Sequence, residues 1–376
     1  MTTLFDSLEL GRLTLPNRVT MAALTRSRAG RDGVPTHVHE TYYTQRASMG
    51  LIVTEGVFPS MTSRAFPGQP GVETPEQIAG WRRVTESVHE AGGRIFMQVM
   101  NGGRLSHASL LEGAQPVAPS AVASGTAVRD FESRKECPVP RALDVEELPR
   151  IIGEFRQAAR NAIDAGMDGV EIHGANGYLL HQFLSPSSNH REDAYGGSPE
   201  NRYRLVEEIL RAVAEEIGAD RLALRLSPQH NIQGIEETDA ADVLATYGGL
   251  LRASEDLGLA YVSFLHAEPT GELITELSTL ARANGRTRVI LNSGFGQVTQ
   301  RAEAEELVQH GDAVAVGRLA ISNPDLVRRW QEQLPITAPD EGTFYTGGER
   351  GYTDYPLYTV SSWALLAEMI CAPRRA

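Results

Sequence analysis

The sequence predicts an α/β fold, a (β/α)8 barrel, on two observations. Eight short apolar runs, most of them rich in Val, Ile or Leu, lack a clean polar–apolar alternation. Strands buried on both faces of a parallel sheet read this way. Helical patterns separate the runs, and strand–helix alternation repeated around a closed sheet is the barrel arrangement. A doubly wound sheet is the rival, but it gives no reason to stop at eight units.

The elements follow in order. Leu8-Glu-Leu10 and Leu13-Thr-Leu15 flank Gly11-Arg12 and predict a small hairpin, 1–16, capping one end of the barrel. The strand runs are 18–24, 51–57, 94–100, 169–174, 222–227, 260–265, 288–292 and 313–316. Ser198 caps a helix opened by Pro199, with Leu205, Val206, Ile209, Leu210, Val213 and Ile217 on one face and Gly218 as the stop. Further helices are predicted over 144–165, 238–257 and 300–309. The stretch 101–141 is rich in Gly, Ser, Ala and Pro and is too long for an ordinary loop. It reads equally as a lid over the barrel mouth or as a plain insertion. The expectation is a single barrel domain, 1–376.

The formal net charge is −13, which argues against a nucleic-acid partner. Cys137 and Cys371 are too few for a disulfide framework and lack metal-site spacing, so no metal is expected. The N-terminus carries Asp6 and Glu9 and lacks a basic leader, and no apolar stretch is long enough to span a bilayer. These features predict a cytoplasmic protein without a membrane partner.

Barrel catalysis gathers where strands end. The strand ends here supply Thr25 and Arg26, Glu55-Gly56, Gln98 and Asn101, then His173, Asn176 and Tyr178. The later strands add Arg225, His266, Asn292-Ser293-Gly294 and Gly317-Arg318. The fourth end is the richest. His173 and Asn176 together suit a carbonyl oxygen gaining negative charge, and Tyr178 suits a proton donor. A glycine-containing loop after the seventh strand and Gly317-Arg318 after the eighth suit a phosphate. Arg225 interrupts an apolar strand, where it needs an anion or acceptor. Gln98 does the same with an amide that both donates and accepts. A structural salt bridge for Arg225 and a packing role for Tyr178 stay open at this level. So does a non-redox barrel such as a sugar-phosphate isomerase.

Several segments resemble the old yellow enzyme family of FMN-dependent ene-reductases. They include Asn17-Arg18-Val19, Leu24-Thr25-Arg26, Gln45-Arg46-Ala47 and Gly80-Trp81. His173-Gly-Ala-Asn-Gly-Tyr178, Asp193-Ala-Tyr195-Gly-Gly197, Glu200-Asn-Arg202, Arg225-Leu-Ser-Pro228 and Asn323-Pro-Asp325 extend the match. The resemblance implies a flavoprotein oxidoreductase, a monomer or homodimer, that takes hydride from NADPH or NADH and reduces a small-molecule enone or nitroalkene by a ping-pong mechanism. A dedicated flavin enzyme of secondary metabolism, acting by reduction, isomerisation or desaturation, uses the same residues. By position, Thr25, Gln98 and Arg225 would meet the flavin edge, and Ala23, Leu24 and Gly56 would line its ring. Ser293, Gly294, Phe295, Gly317 and Arg318 would hold its phosphate. His173 and Asn176 would clamp the substrate oxygen and Tyr178 would protonate Cα. Phe344, Tyr345 and Met100 would shape the substrate pocket. The family usually places Trp-His where this chain has Met100-Asn101, which implies a pocket altered in shape.

Overall fold

The computed structural model describes residues 2–294, 296 and 298–359. Eight parallel strands close into a barrel, each beside its sequence neighbour. They are β1 (Val19–Met21), β2 (Leu51–Val57), β3 (Ile95–Val99) and β4 (Gly169–Gly174). The others are β5 (Leu222–Leu226), β6 (Tyr261–His266), β7 (Arg288–Ser293) and β8 (Ala313–Val316). β8 returns to β1 through Val314 opposite Val19, which closes the ring. The observed strands match the apolar runs to within a few residues. The first is the shortest relative to expectation, because residues 22–25 leave the sheet to line the mouth.

The missing polar alternation has a direct cause. Along β4, Val170 and Ile172 face outward into the large helix-facing core. β5 sends Leu222, Leu224 and Leu226 the same way. The inward set forms a second cluster that includes Leu51, Val53, Phe96, Ala223, Tyr261 and Ile290. Both faces are therefore apolar in the lower half of the barrel, and burial of both drives closure.

The predicted hairpin is present, Leu8–Leu10 paired with Leu13–Leu15. It plugs the lower end, since Leu8, Leu10 and Leu15 belong to the inner cluster. Its turn lies flat against the barrel floor. Gly11 has φ +56, and a Cβ there would come within 2.0 Å of the Asp220 carbonyl oxygen. Arg12 then grips Asp220 at 2.8 Å, which fixes the plug from outside.

The helices respect their sequence signals. Ser198 Oγ accepts from the Asn201 N–H, the helix runs Pro199–Ile217, and Gly218 ends it at φ +89. The 144–165 helix divides into a short 3-10 turn, Val145–Glu147, and an α-helix, Leu148–Asp164. Pro149 sits at the opening of the second piece, where a missing N–H costs nothing. The 238–257 helix is trimmed to Ala240–Ala253 with a following 3-10 turn. The long 101–141 segment is ordered by two small sheets. One pairs Val117–Ala118 with Arg141–Ala142, and the other is a hairpin of Ala127–Arg129 and Arg134–Glu136. Among the described residues, no helix is long and apolar enough to cross a membrane.

The plug has a measurable consequence. Leu10→Ala empties a fully buried site in the inner cluster and should cost about 2–5 kcal/mol of stability. Urea unfolding measures it, and a loss below about 1 kcal/mol would mean the hairpin does not support the barrel.

Candidate active site

A cavity of about 700 Å³ opens at the C-terminal mouth of the barrel. That volume suits a cofactor together with a small substrate. Its walls include His173, Asn176 and Tyr178 on one side, and Thr25, Gly56, Gln98 and Arg225 deeper in. Ala23, Leu24, Met100, Phe344 and Tyr345 complete that half. Ser293, Gly294, Gly317 and Arg318 line the far end. Every candidate cofactor or substrate residue named from sequence lies here except Phe295, which falls outside the described residues.

Strand register assembles the centre. His173 lies opposite Arg225, and Glu171 opposite Gln98. Inward residues above the apolar layer are therefore polar, in one ring. Burial holds the His173 imidazole well below its ordinary pKa of 6.5, with Arg225 adding to the effect. The ring is thus neutral, with one N–H to donate. Its Nδ1 has no protein partner, nor does the Asn176 side-chain oxygen. Unpaired buried polar atoms are costly unless a ligand completes them.

The loop after β4 is held from below. Asn176 adopts φ +56, a left-handed conformation that asparagine tolerates better than most residues. Its N–H donates to Ser227 Oγ at 2.9 Å, and Gln233 Nε2 donates to its carbonyl at 2.7 Å. The Gly177 N–H donates to His181 Nδ1 at 3.0 Å. His181 Nε2 lies 3.2 Å from Glu237, which also accepts from the Tyr247 hydroxyl at 2.8 Å. This buried chain fixes the backbone that carries Tyr178. The Tyr178 ring lies 5.1 Å from the His173 ring and edge-on to Phe66 at 5.9 Å. Burial raises its phenol above the ordinary value, so it holds its proton at neutral pH.

Arg225 is buried, and its direct partner is the Asn292 side-chain oxygen at 3.1 Å rather than a carboxylate. Its Nε has no protein partner. Arg225 lines the cavity, where a guanidinium suits an electron-rich ring edge or carbonyl. At the far end, the Ser293 and Thr299 hydroxyls lie 2.8 Å apart. Gly296, at φ +89, adds a turn against which no side chain crowds. Arg318 reaches Glu341 at 2.6 Å and is partly exposed, in position to meet an anion. The donor set therefore fits FMN: Thr25, Gln98 and Arg225 could hold its ring and Arg318 its phosphate.

Other expected walls turn away from the cavity. A bulge in β2 shifts the register between Val53 and Gly56, so Gly56 faces inward and Glu55 does not. Glu55 instead accepts from the Arg26 and Ser27 N–H groups. Its burial raises the carboxyl to about 7. Arg26 bonds Tyr42 and the carbonyls of Phe344 and Gly351. It thereby seats the Phe344–Tyr345 wall, as does Arg28 through the carbonyls of Thr343 and Phe344. Asn101 closes a turn onto the Gly103 N–H, and His266 bonds within its own loop. Met100 is buried among Ala65, Leu105 and Tyr178. It lies so close to Gly56 that a Cβ there would meet Met100 Sδ at 2.8 Å.

Sequence reasoning passed over Glu171, Phe66, Gln233 and the 127–129 hairpin strand. Phe66, Gln233 and residues 127–129 also line the cavity. Glu171 is a carboxylate inside an apolar strand, and nothing in its own segment points to Tyr261 as its partner.

Comparison with known proteins agrees with this geometry. A family model, Oxidored_FMN, described as NADH:flavin oxidoreductase / NADH oxidase, matches residues 3–337. A probable flavin mononucleotide-dependent alkene reductase of Leishmania infantum is 41% identical, over 92% of this chain and 95% of that protein. A structure of morphinone reductase in complex with tetrahydroNAD superposes with a TM-score of 0.89 at 40% identity, covering 96% and 99% of the two chains. A structure of an old yellow enzyme homologue from Zymomonas mobilis gives 0.88 at 38% identity, covering 95% and 100%.

Because burial disfavours the charged imidazole, the neutral His173 ring persists as the pH falls through 6.5. The stability gained by keeping it neutral is lost only below that pH, where the unfolded chain takes up the proton first. Nitrogen NMR of histidine-labelled protein should show no His173 titration centred at 6.5. A midpoint there would contradict the buried, neutral ring.

Proposed function

Because the chain belongs to the NADH:flavin oxidoreductase / NADH oxidase family, we propose that its cavity reduces activated C=C bonds in α,β-unsaturated carbonyls or nitroalkenes. FMN is the cofactor, and NADPH or NADH is the reductant. Relatives named as an alkene reductase and as morphinone reductase support this choice of substrate class. The observation that carries the reading is the cavity itself. His173, Asn176 and Tyr178 line it together with Arg225, and the His173 ring and the Asn176 side-chain amide can each offer an N–H to a substrate oxygen.

When bound, FMN would supply the hydride-transfer chemistry between the nicotinamide and the substrate alkene. The chain does the rest. Thr25, Gln98 and Arg225 would hold the ring edge, and Ala23, Leu24 and Gly56 would line the ring. Ser293, Gly294, Gly317 and Arg318 would hold the phosphate. Reductant and substrate share one cavity and use it in turn, which makes the cycle ping-pong.

His173 and Asn176 hold the substrate oxygen and stabilise the charge that grows on it. Tyr178 keeps its proton until Cα becomes basic and then delivers it. Its raised pKa suits this role, because a phenolate could not act as the acid. Met100, Phe344 and Tyr345 bound the substrate from the remaining sides. Met100 offers a flexible thioether wall that adapts to varied shapes.

Stopped-flow measurement of the two half-reactions tests the assignment. Tyr178→Phe should leave flavin reduction by NADPH nearly unchanged and slow flavin reoxidation by an enone by about 10²–10⁴-fold. Equal slowing of both half-reactions would remove Tyr178 from the proton-donor role.

A further inference from the structure

Glu171 is a buried carboxylate in the middle of β4, two residues before His173 and on the same inward face. No step described above uses it. It sits below the cavity rather than in its wall. Its Oε1 accepts from Gln98 Nε2 at 2.7 Å, and its Oε2 accepts from the Tyr261 hydroxyl at 2.9 Å. Burial raises its carboxyl above the usual range, while the positive charge of Arg225, acting through space, and the bonds from Gln98 and Tyr261 favour the ionised form.

The chemistry of these partners is directional. An ionised carboxylate only accepts hydrogen bonds, so it commits the Gln98 amide to one of its two orientations. With Nε2 turned down to Glu171, the Gln98 side-chain oxygen is the edge left for a ligand. On the other side, Asn292 fixes Arg225 through its oxygen, while its own Nδ2 is held by the Ala315 carbonyl at 2.8 Å. Arg225 and Gln98 both line the cavity. The floor of the cavity therefore offers one acceptor and one donor side by side, and Glu171 sets the acceptor.

We propose that Glu171 is a positioning residue for the cofactor: it locks the Gln98 amide with its oxygen toward the flavin pyrimidine and balances the charge of Arg225 beneath it. The assignment rests on FMN being the ligand of this cavity. The outward Gln98 oxygen then accepts the flavin N3–H, and Arg225 donates to a pyrimidine carbonyl. The balanced charge also restrains Arg225 from over-stabilising the electron-rich reduced ring, so the carboxylate keeps the midpoint potential low.

The test uses purified full-length protein reconstituted with FMN. Glu171→Gln preserves shape but removes the charge and frees the Gln98 amide to flip. It should weaken FMN binding by about 10- to 100-fold, the loss of a charge-assisted hydrogen bond, and shift the midpoint potential upward. Tyr261→Phe removes a different bond to the same carboxylate and keeps its charge. It should lower the melting temperature of the apoprotein while moving the potential less than Glu171→Gln does. The wild-type protein supplies a second measurement that no folding defect can confound. It should bind 3-methyl-FMN, which lacks the N3–H, at least about tenfold more weakly than FMN. Unchanged affinity and potential in Glu171→Gln, equal potential shifts in the two variants, or equal binding of FMN and its methyl analogue would each overturn the role of Glu171 alone. A wild-type protein that takes up no FMN would overturn the flavin reading with it.

Discussion

The parallel register between β3, β4 and β5 is the constraint on which the site depends. It sets Glu171 beside Gln98 and His173 beside Arg225. Slipping β4 by one residue would turn Glu171 and His173 out toward the helices and bring Val170 and Ile172 inward. The apolar lower layer guards against that slip. Phe96, Ala223, Tyr261 and Ile290 pack there over the hairpin leucines, and the outward leucines and valines are matched to the helices. The polar ring is thus held by hydrophobic burial beneath and around it.

Above that layer the barrel holds charge away from water, which is tolerable only when each group is satisfied. Most are. Glu171 takes bonds from Gln98 and Tyr261, and Glu237 ties His181 to Tyr247. Arg26 and Arg46 satisfy themselves largely on backbone carbonyls, including those of the 343–352 segment and the helix after β8. The unsatisfied set includes His173 Nδ1, Asn176 Oδ1 and Arg225 Nε around one cavity.

Much of this was legible in the sequence. The strand runs, the hairpin and the Ser198-Pro199 helix start followed from periodicity and end signals, which depend on local chemistry. The site residues at strand ends followed from the rule that barrels gather function there. Glu55 was misread because a bulge is a backbone event with no composition signal. Arg26, Asn101 and His266 were misread because a polar residue at a strand end can equally well tie down its own loop. Glu171 was invisible as a floor residue, since its role depends on Tyr261, ninety positions away. Phe66 and Gln233 come from other loops and reach the cavity only after the barrel closes.

The central claim is that this cavity binds FMN and passes reducing equivalents to an activated alkene. Anaerobic absorbance of the purified protein tests it most directly. The purified protein should carry stoichiometric FMN whose visible band bleaches on adding NADPH or NADH and returns on adding cyclohexenone. A colourless protein that takes up no FMN, or a bleached band that the enone leaves unchanged, would contradict it.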